Sequence, residues 1–277
     1  MDISAALSLF GSRIKVMEVL LVKQGIKPVA RLLCNEIKLA STLSLLGQEG
    51  LFAALSGFKV IKDPSQGIYA DRSLKVSKDD PRQGYVFLYV SKDNDKAMKA
   101  KEWEEKGDHR ELGQALGYPQ CCGDFFGVHF DKNHTDLTLD ALQNSDGFEF
   151  PFQMNIAARH FDAVLLSHFP CSFRCKDSLD IAKKNLEVLE RHALSIAIEM
   201  VPLLKSPVLY TPQGVFLLED GEKKGNELFF RSILATQMSK LFYFLQEEKR
   251  LRIMDKDRIA IGDEVVEGEN KGIMVFS

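Results

Sequence analysis

The sequence predicts an α+β protein, in which a central strand–helix region lies between a helical N-terminal segment and a small β-rich C-terminal segment. Three observations predict this class. Apolar residues recur at helical spacing from Ile3 to Phe58, a short apolar run near residue 90 leads into a charged helical stretch, and short strand-like runs follow Pro207. These changes divide the chain into segments 1–79, 80–206 and 207–277.

The N-terminal segment is predicted to be helical, with a strand pair at its end. Its helical spacing is broken by glycine and proline. Asp63–Gly67 is a turn cluster, and Ile68–Val76 alternates as a strand with one exposed face does. Cys34 lies in the helical apolar stretch and is predicted to be a core residue.

The central segment is predicted to open with a strand that is followed by helices. Tyr85–Val90 is apolar and aromatic, as expected of a strand buried on both faces, and a charged helix to about Lys106 follows. Asp108 has the position of a helix cap, Gly117 ends that short helix, and Pro119 is suited to begin the next.

The second half of the chain continues this alternation and then becomes β-rich. Ala163–Leu166 is predicted to be a buried strand, and one long helix from about Phe173 to Met200 is predicted to stop at Pro202. The C-terminal segment is predicted to hold short strands and one helix, namely strands Val208–Tyr210, Val215–Leu218 and Arg258–Ile261 and a helix near Ser239–Lys249.

The composition of the chain argues against some classes of binding partner. The chain has 277 residues, 27% of them charged, and a net charge of -3, so it can bury a full core and has no general attraction to polyanions. It shows no basic leader of a signal peptide and no uncharged stretch of about 18 to 20 apolar residues. We expect a cytoplasmic protein that binds neither nucleic acid nor membrane and acts on an unknown small molecule or protein.

Four of the five cysteines fall into two tight groups, each just after a proline: Cys121 with Cys122, and Cys171 with Cys175. In a reducing compartment, grouped cysteines bind metal or do chemistry more often than they form disulfides. Both groups are predicted to lie in the first turn of a helix, where the helix dipole stabilises a thiolate. We expect one of the two adjacent cysteines to face the site, and Cys122 is our choice.

His168 stands three residues before Cys171, at the carboxyl end of the predicted strand. It is suited to be a further metal ligand or a general base. The predicted ligands are therefore Cys122, His168, Cys171 and Cys175, a soft donor set for zinc or an iron–sulfur cluster. His168 and Cys171 are the predicted catalytic residues, although the sequence leaves open whether the protein is an enzyme.

Two other functions remain open. A metal-free thiolate at Cys171 or Cys122 is suited to persulfide, sulfur-transfer or redox reactions. Alternatively, the cysteines are structural parts of a non-enzymatic interaction module.

Two further polar groups have a structural and a functional interpretation. His129 and His134 either bind a metal or form a polar helix end, which we favour. Asn155 and Arg159 either orient an anionic substrate or make hydrogen bonds on a helix surface, which we again favour.

The cysteine motifs resemble those of an uncharacterised prokaryotic family, domain of unknown function 483. The matching strings are Leu-Gly-Tyr-Pro-x-Cys-Cys at Leu116–Cys122 and His-x-Pro-Cys-Ser-x-x-Cys at His168–Cys175. The resemblance covers roughly Val86 to Met200. Because that family has no named activity, the resemblance implies only that these residues act as a unit.

Overall fold

The computed structural model describes residues 1–62, 73–131, 134–268 and 270–277. It confirms the α+β class, with helices concentrated toward the N-terminus and strands toward the C-terminus. The chain divides into two compact units, the first formed by residues 1–128 and 187–193, the second by residues 129–186 and 194–277. The predicted turn Asp63–Gly67 lies outside the described residues.

The helices of the described chain are α1 (Ile3–Phe10), α2 (Arg13–Lys23), α3 (Leu39–Gln48), α4 (Asn94–Lys106), α5 (His109–Ala115), α6 (Gln120–His129), α7 (Thr138–Gln143), α8 (Lys176–His192), α9 (Leu194–Lys205) and α10 (Lys240–Glu248). The strands are β1 (Ala30–Asn35), β2 (Phe52–Lys62), β3 (Ser73–Ser77), β4 (Tyr85–Ser91), β5 (Glu149–Phe150), β6 (Val208–Thr211), β7 (Gly214–Glu219), β8 (Glu222–Lys224), β9 (Glu227–Phe229), β10 (Ser232–Ala235), β11 (Arg250–Asp255), β12 (Arg258–Ile261), β13 (Glu264–Glu267) and β14 (Gly272–Phe276).

The first unit is built on a four-stranded antiparallel sheet in the order β1-β4-β2-β3. Along the central strand β4, Leu88 packs in a core with residues of α2 and α3, and Tyr89 packs in a second core with residues of α4 and α5. Successive residues of a strand point to opposite faces. The prediction that Tyr85–Val90 is a strand buried on both faces is therefore confirmed.

The prediction that Ile3 to Phe58 is helical is wrong in part, because β1 and β2 lie within that range. Along β1, Ala30, Leu32 and Cys34 all point into one core, which is the two-residue period of a strand. Sheet pairing with β4 thus outweighs the helical spacing. Cys34 lies in a strand rather than a helix, but it is a core residue, as predicted, with 7% of its surface exposed.

The second unit contains two five-stranded sheets, in the orders β10-β7-β6-β14-β5 and β13-β12-β11-β9-β8. Residues of both sheets share one hydrophobic core, to which α10 contributes Leu241 and Leu245. Strand β14 pairs antiparallel with β6 and parallel with β5. The three predicted C-terminal strands and the predicted helix are confirmed as β6, β7, β12 and α10.

Two predictions in the middle of the chain are wrong. Ala163–Leu166 is buried but forms no strand, and the predicted long helix is two helices, α8 and α9, that are separated at Ala193. Pro202 lies inside α9 instead of ending it. A proline deprives the carbonyl four residues earlier of its hydrogen bond, and here that residue is Ile198, on an exposed face of the helix that water can reach.

Strand pairing also crosses both boundaries that composition suggests. Strand β4 lies between β1 and β2, and β14 pairs with β5. The division into segments 1–79, 80–206 and 207–277 stays a prediction about composition and motifs. In the described part of the chain, none of the helices has the length and apolar character that a bilayer crossing requires.

Candidate metal centre

Cys121 and Cys122 follow a tightly specified turn. The N–H of Gly117 donates to the carbonyl of Gln114, and that of Tyr118 donates to the carbonyl of Gly113, both at 2.9 Å. This pair of bonds is the Schellman motif, and it places Gly117 in the left-handed conformation with φ of +80°. Leu116, 3% exposed, fixes the start of the turn in the core of the first unit.

Side chains from a neighbouring loop hold the turn. A Cβ atom on Gly117 would lie 3.0 Å from Cδ of Pro28, so the loop approaches closely. The ammonium of Lys27 lies 5.4 Å from the ring centroid of Tyr118 and forms a 2.6 Å ion pair with Glu18. Burial alone would lower the pKa of Lys27, but the charge of Glu18, the phenol of Tyr118 and the hydrogen bond to Glu18 together outweigh it, so the pKa is raised. Lys27 therefore stays charged beneath the turn.

Helix α6 begins directly after the turn, as Pro119 predicts. The carbonyl of Pro119 accepts hydrogen bonds from the N–H groups of Cys122 and Gly123. Both cysteines therefore lie in the first helical turn. Cys121 is exposed, Cys122 is 2% exposed, and their Sγ atoms are 3.9 Å apart.

The second pair of cysteines lies in a loop that hydrogen bonds pin at its centre. The buried hydroxyl of Ser145 accepts the N–H of Phe173 at 2.8 Å and lies 3.0 Å from Oγ of Ser172. The side chain of Asn144 donates to the carbonyl of Cys171 at 3.0 Å. The backbone between Cys171 and Cys175 is thus tied to the C-terminal end of α7.

Side chains between the two cysteines anchor the same loop. Phe173 is fully buried and stacks on Phe150, with ring centroids 4.9 Å apart. The guanidinium of Arg174 donates to the carbonyls of Asp146 and Glu149. Cys171 and Cys175 are partly buried, and α8 begins at Lys176, immediately after Cys175. The prediction that this pair lies within the first helical turn is therefore off by one turn.

Four Sγ atoms lie within 4.8 Å of one another, those of Cys121, Cys122, Cys171 and Cys175. The five cysteines, all in the described part of the chain, form no disulfide. Four thiols at this spacing are a soft, all-sulfur donor set of the kind that binds zinc or iron. The structure thus brings together three of the predicted ligands, Cys122, Cys171 and Cys175.

The group of four also contains Cys121, which sequence reasoning set aside. Adjacent residues on a regular helix point about 100° apart, and this spacing led us to choose one of the two. In the first turn the two Sγ atoms nevertheless converge. The signal that would have identified Cys121 is the number of grouped cysteines. Two pairs supply four ligands, which is the number that a four-coordinate site needs.

His168 lies outside the described group of four. Its Nε2 is 2.9 Å from the hydroxyl of Ser178, a fully buried residue in the first turn of α8. This contact ties the residues before Cys171 to the helix after Cys175. The catalytic roles of His168 and Cys171 stay predictions.

The polar residues between α6 and β6 form a separate network. Asp136 pairs with Arg159 at 2.6 Å, accepts the hydroxyl of Tyr210 at 2.5 Å and lies 3.5 Å from Nε2 of His160. Burial alone would raise the pKa of Asp136, but the charge of Arg159 and hydrogen bonds from His160, Tyr210 and Thr138 outweigh it and hold the pKa well below its usual range.

Three of the residues with two interpretations make structural contacts. Asn155 is fully buried and donates to the carbonyls of Leu204 and Ser206. His129 and His134 both face the carboxylate of Asp140, at 3.4 and 2.8 Å. The contacts of His129 and His134 agree with the structural interpretation that we favoured. The helix-surface hydrogen bond that we favoured for Asn155 is wrong, because its side chain is buried and bonds backbone carbonyls of α9 and the residue after it.

Comparison of the chain with protein-family models, with curated proteins and with solved structures finds no match. The resemblance to domain of unknown function 483 therefore stays a prediction.

Proposed function

We propose that this protein binds a single metal ion through the thiolates of Cys121, Cys122, Cys171 and Cys175, and that the ion is zinc. The observation that carries the proposal is the spacing of the four sulfur atoms, all within 4.8 Å of one another. Zinc–sulfur bonds of about 2.3 Å in a tetrahedron place the sulfur atoms about 3.8 Å apart. The 3.9 Å between Sγ of Cys121 and Sγ of Cys122 matches that edge.

The same spacing argues against a four-iron cluster. In such a cluster each cysteine binds a different iron at the outside of a cube of irons and sulfides. Its ligand sulfur atoms must therefore stand much further apart than around a single ion. A compact group of four favours one tetrahedral ion.

Metal-free thiol chemistry is the second candidate, and the exposure of Cys121 favours it. Under that function Cys121, or Cys171 as the sequence suggested, would act as a nucleophilic or redox thiol. Both functions need a reducing compartment such as the cytoplasm. In both, we propose that His168 orients the loop through Ser178. Under thiol chemistry we also propose it as the general base.

Elemental analysis of anaerobically purified protein tests the proposal. We expect about one zinc per chain in the wild type, and none in the double variant Cys171→Ala/Cys175→Ala, because only two of the four ligands remain. Cys34→Ala is the matched control, since Cys34 is a buried cysteine outside the group, and it should keep its zinc. Folded wild-type protein without metal would favour thiol chemistry instead. A visible sulfur-to-iron absorption band with several iron atoms per chain would show that the cysteines bind an iron–sulfur cluster instead of zinc.

A further inference from the structure

We propose that Cys121 is the reactive ligand of this centre, whose metal-bound thiolate attacks soft carbon electrophiles, while Cys122, Cys171 and Cys175 retain the ion. The inference rests on the proposed zinc site. It adds an activity, the acceptance of an alkyl group from an activated alkyl donor.

The first argument is the difference in exposure among the four thiols. Cys121 is exposed, whereas Cys122 is 2% exposed and Cys171 and Cys175 are partly buried. An electrophile in solution therefore meets Cys121 first.

The second argument is that the other three ligands are firmly held. The carbonyl of Cys171 accepts from Asn144, and Cys175 both donates to Ser172 and accepts from Leu179 through its backbone. Cys122 is buried beside the turn, and its N–H donates to Pro119. These three residues therefore keep their positions when Cys121 reacts, and three thiolates are enough to retain an ion.

The third argument is the charge of the site. A thiol that coordinates zinc is deprotonated outright, and four thiolates around one divalent ion leave the centre with two net negative charges. The Cys121 sulfur is therefore a nucleophile that needs no general base. Zinc has no redox chemistry, so the reaction is a substitution.

The step is balanced without a further reactant. The Cys121 sulfur forms a bond to the carbon of the donor, and the bond from that carbon to its leaving group breaks. The leaving group departs with the electron pair. Cys121 becomes a neutral thioether, which is a weaker ligand, and no proton is taken up or released.

Alkylation of the zinc-loaded protein with iodoacetamide at pH 6.5 tests this inference. At that pH an ordinary thiol with a pKa of about 8.5 is only about one part in a hundred thiolate. We expect the first adduct on Cys121, found by mass mapping of peptides, with about one zinc per chain retained. After the zinc is stripped, the alkylation rate at Cys121 should fall at least about tenfold. This factor is smaller than the roughly hundredfold fall in thiolate fraction, because a metal-bound thiolate is less nucleophilic than a free one.

Cys121→Ser is the variant that tests the assignment. It should keep its zinc through the three remaining thiolates and lose the fast reaction, while Cys34→Ala should react as the wild type does. A first adduct on Cys122, Cys171 or Cys175, loss of zinc with the first adduct, or a rate at Cys121 that zinc does not change would overturn the inference and leave the zinc site standing. Absence of zinc from the wild type would overturn the proposed function itself.

Discussion

Gly117 is constrained twice, once by its backbone and once by its neighbour. Its φ of +80° is a conformation that glycine adopts without cost, and Pro28 would have to shift by a few tenths of an ångström to admit a Cβ atom. Sequence alone indicates the first constraint, because glycine just past a helix and before a proline is a common stop signal. The approach of Pro28 depends on a loop far away in the chain, so no local pattern reports it.

Gly117→Ala should therefore destabilise the protein by about 1–2 kcal/mol for the left-handed backbone, with a further cost from contact with Pro28. It should also weaken zinc binding, because the turn sets the position of Cys121 and Cys122. Gly107→Ala is the control, since Gly107 ends α4 with φ of +71° and has nothing within 4 Å of an added Cβ. Gly107→Ala should lose stability but keep its zinc affinity. Denaturant unfolding and zinc competition measure both, and equal zinc affinity in the two variants would contradict the argument.

Asp136 predicts a pH dependence of stability. Its pKa is lowered in the folded protein, so its contribution is fully present above the unfolded value of about 3.9 and is lost as the pH falls below that value. Asp136→Asn should lower the free energy of unfolding by about 2–3 kcal/mol at pH 7, as expected for hydrogen bonds to a charged group. The difference from the wild type should shrink from pH 4 downward.

Asp80→Asn is the control for this titration. Asp80 pairs with Arg82, which is 56% exposed, so the loss of this surface pair should be too small to resolve. Urea unfolding between pH 7 and pH 3 measures both variants. A constant gap between Asp136→Asn and the wild type across this range would contradict the low pKa.

At the scale of elements, the Cys171–Cys175 loop depends on the end of α7. Ser145 donates to the carbonyl of Ala141 and accepts the N–H of Phe173, so one hydroxyl joins the helix to the loop. The sequence could not show this, because Ser145 and Phe173 are joined only in the folded chain. Local signals did predict α4, α5, α6 and α10, each of which has a strong capping residue or a proline at its start.

Ser145→Ala should destabilise the protein by about 1–3 kcal/mol, because the buried N–H of Phe173 loses its acceptor. Zinc affinity should fall with it. Ser206→Ala is a close match, since Ser206 is also buried and donates to the carbonyl four residues earlier, that of Pro202. It should change stability without changing zinc affinity. Zinc competition measures the affinity of both variants. Unchanged zinc affinity in Ser145→Ala would show that the Cys171–Cys175 loop keeps its position without this hydrogen bond.

At the scale of the whole molecule, the sequence predicted the class and the grouping of the cysteines but not the strand pairing. Three of the four clustered cysteines follow from grouping alone, since close spacing in sequence survives folding. Strand β1 was misread because its apolar residues fit a helix and a strand equally, and only its pairing with β4 decides between them. The same holds for Ala163–Leu166, which is buried without any partner strand among the described residues.

Zinc binding should stabilise the whole protein, since an ion that binds only the folded state raises the free energy of unfolding by mass action. At a free zinc concentration of 1,000 times the dissociation constant this amounts to about 4 kcal/mol. A strong chelator should therefore lower the melting temperature of the wild type and of Cys34→Ala. The double variant Cys171→Ala/Cys175→Ala should melt at a temperature that the chelator does not change. If the chelator leaves the melting temperature of the wild type unchanged, this would contradict a bound ion that stabilises the fold.

The stacking of Phe173 has a consequence for the order in which the protein matures. Its ring packs between Phe150 and Phe276, and Phe276 belongs to β14, the last strand of the described chain. A ribosome therefore releases Cys171 and Cys175 long before it makes the strand that completes their support. The loop has its final support only after β14 joins its sheet, so loading of the metal is expected to follow the synthesis of β14.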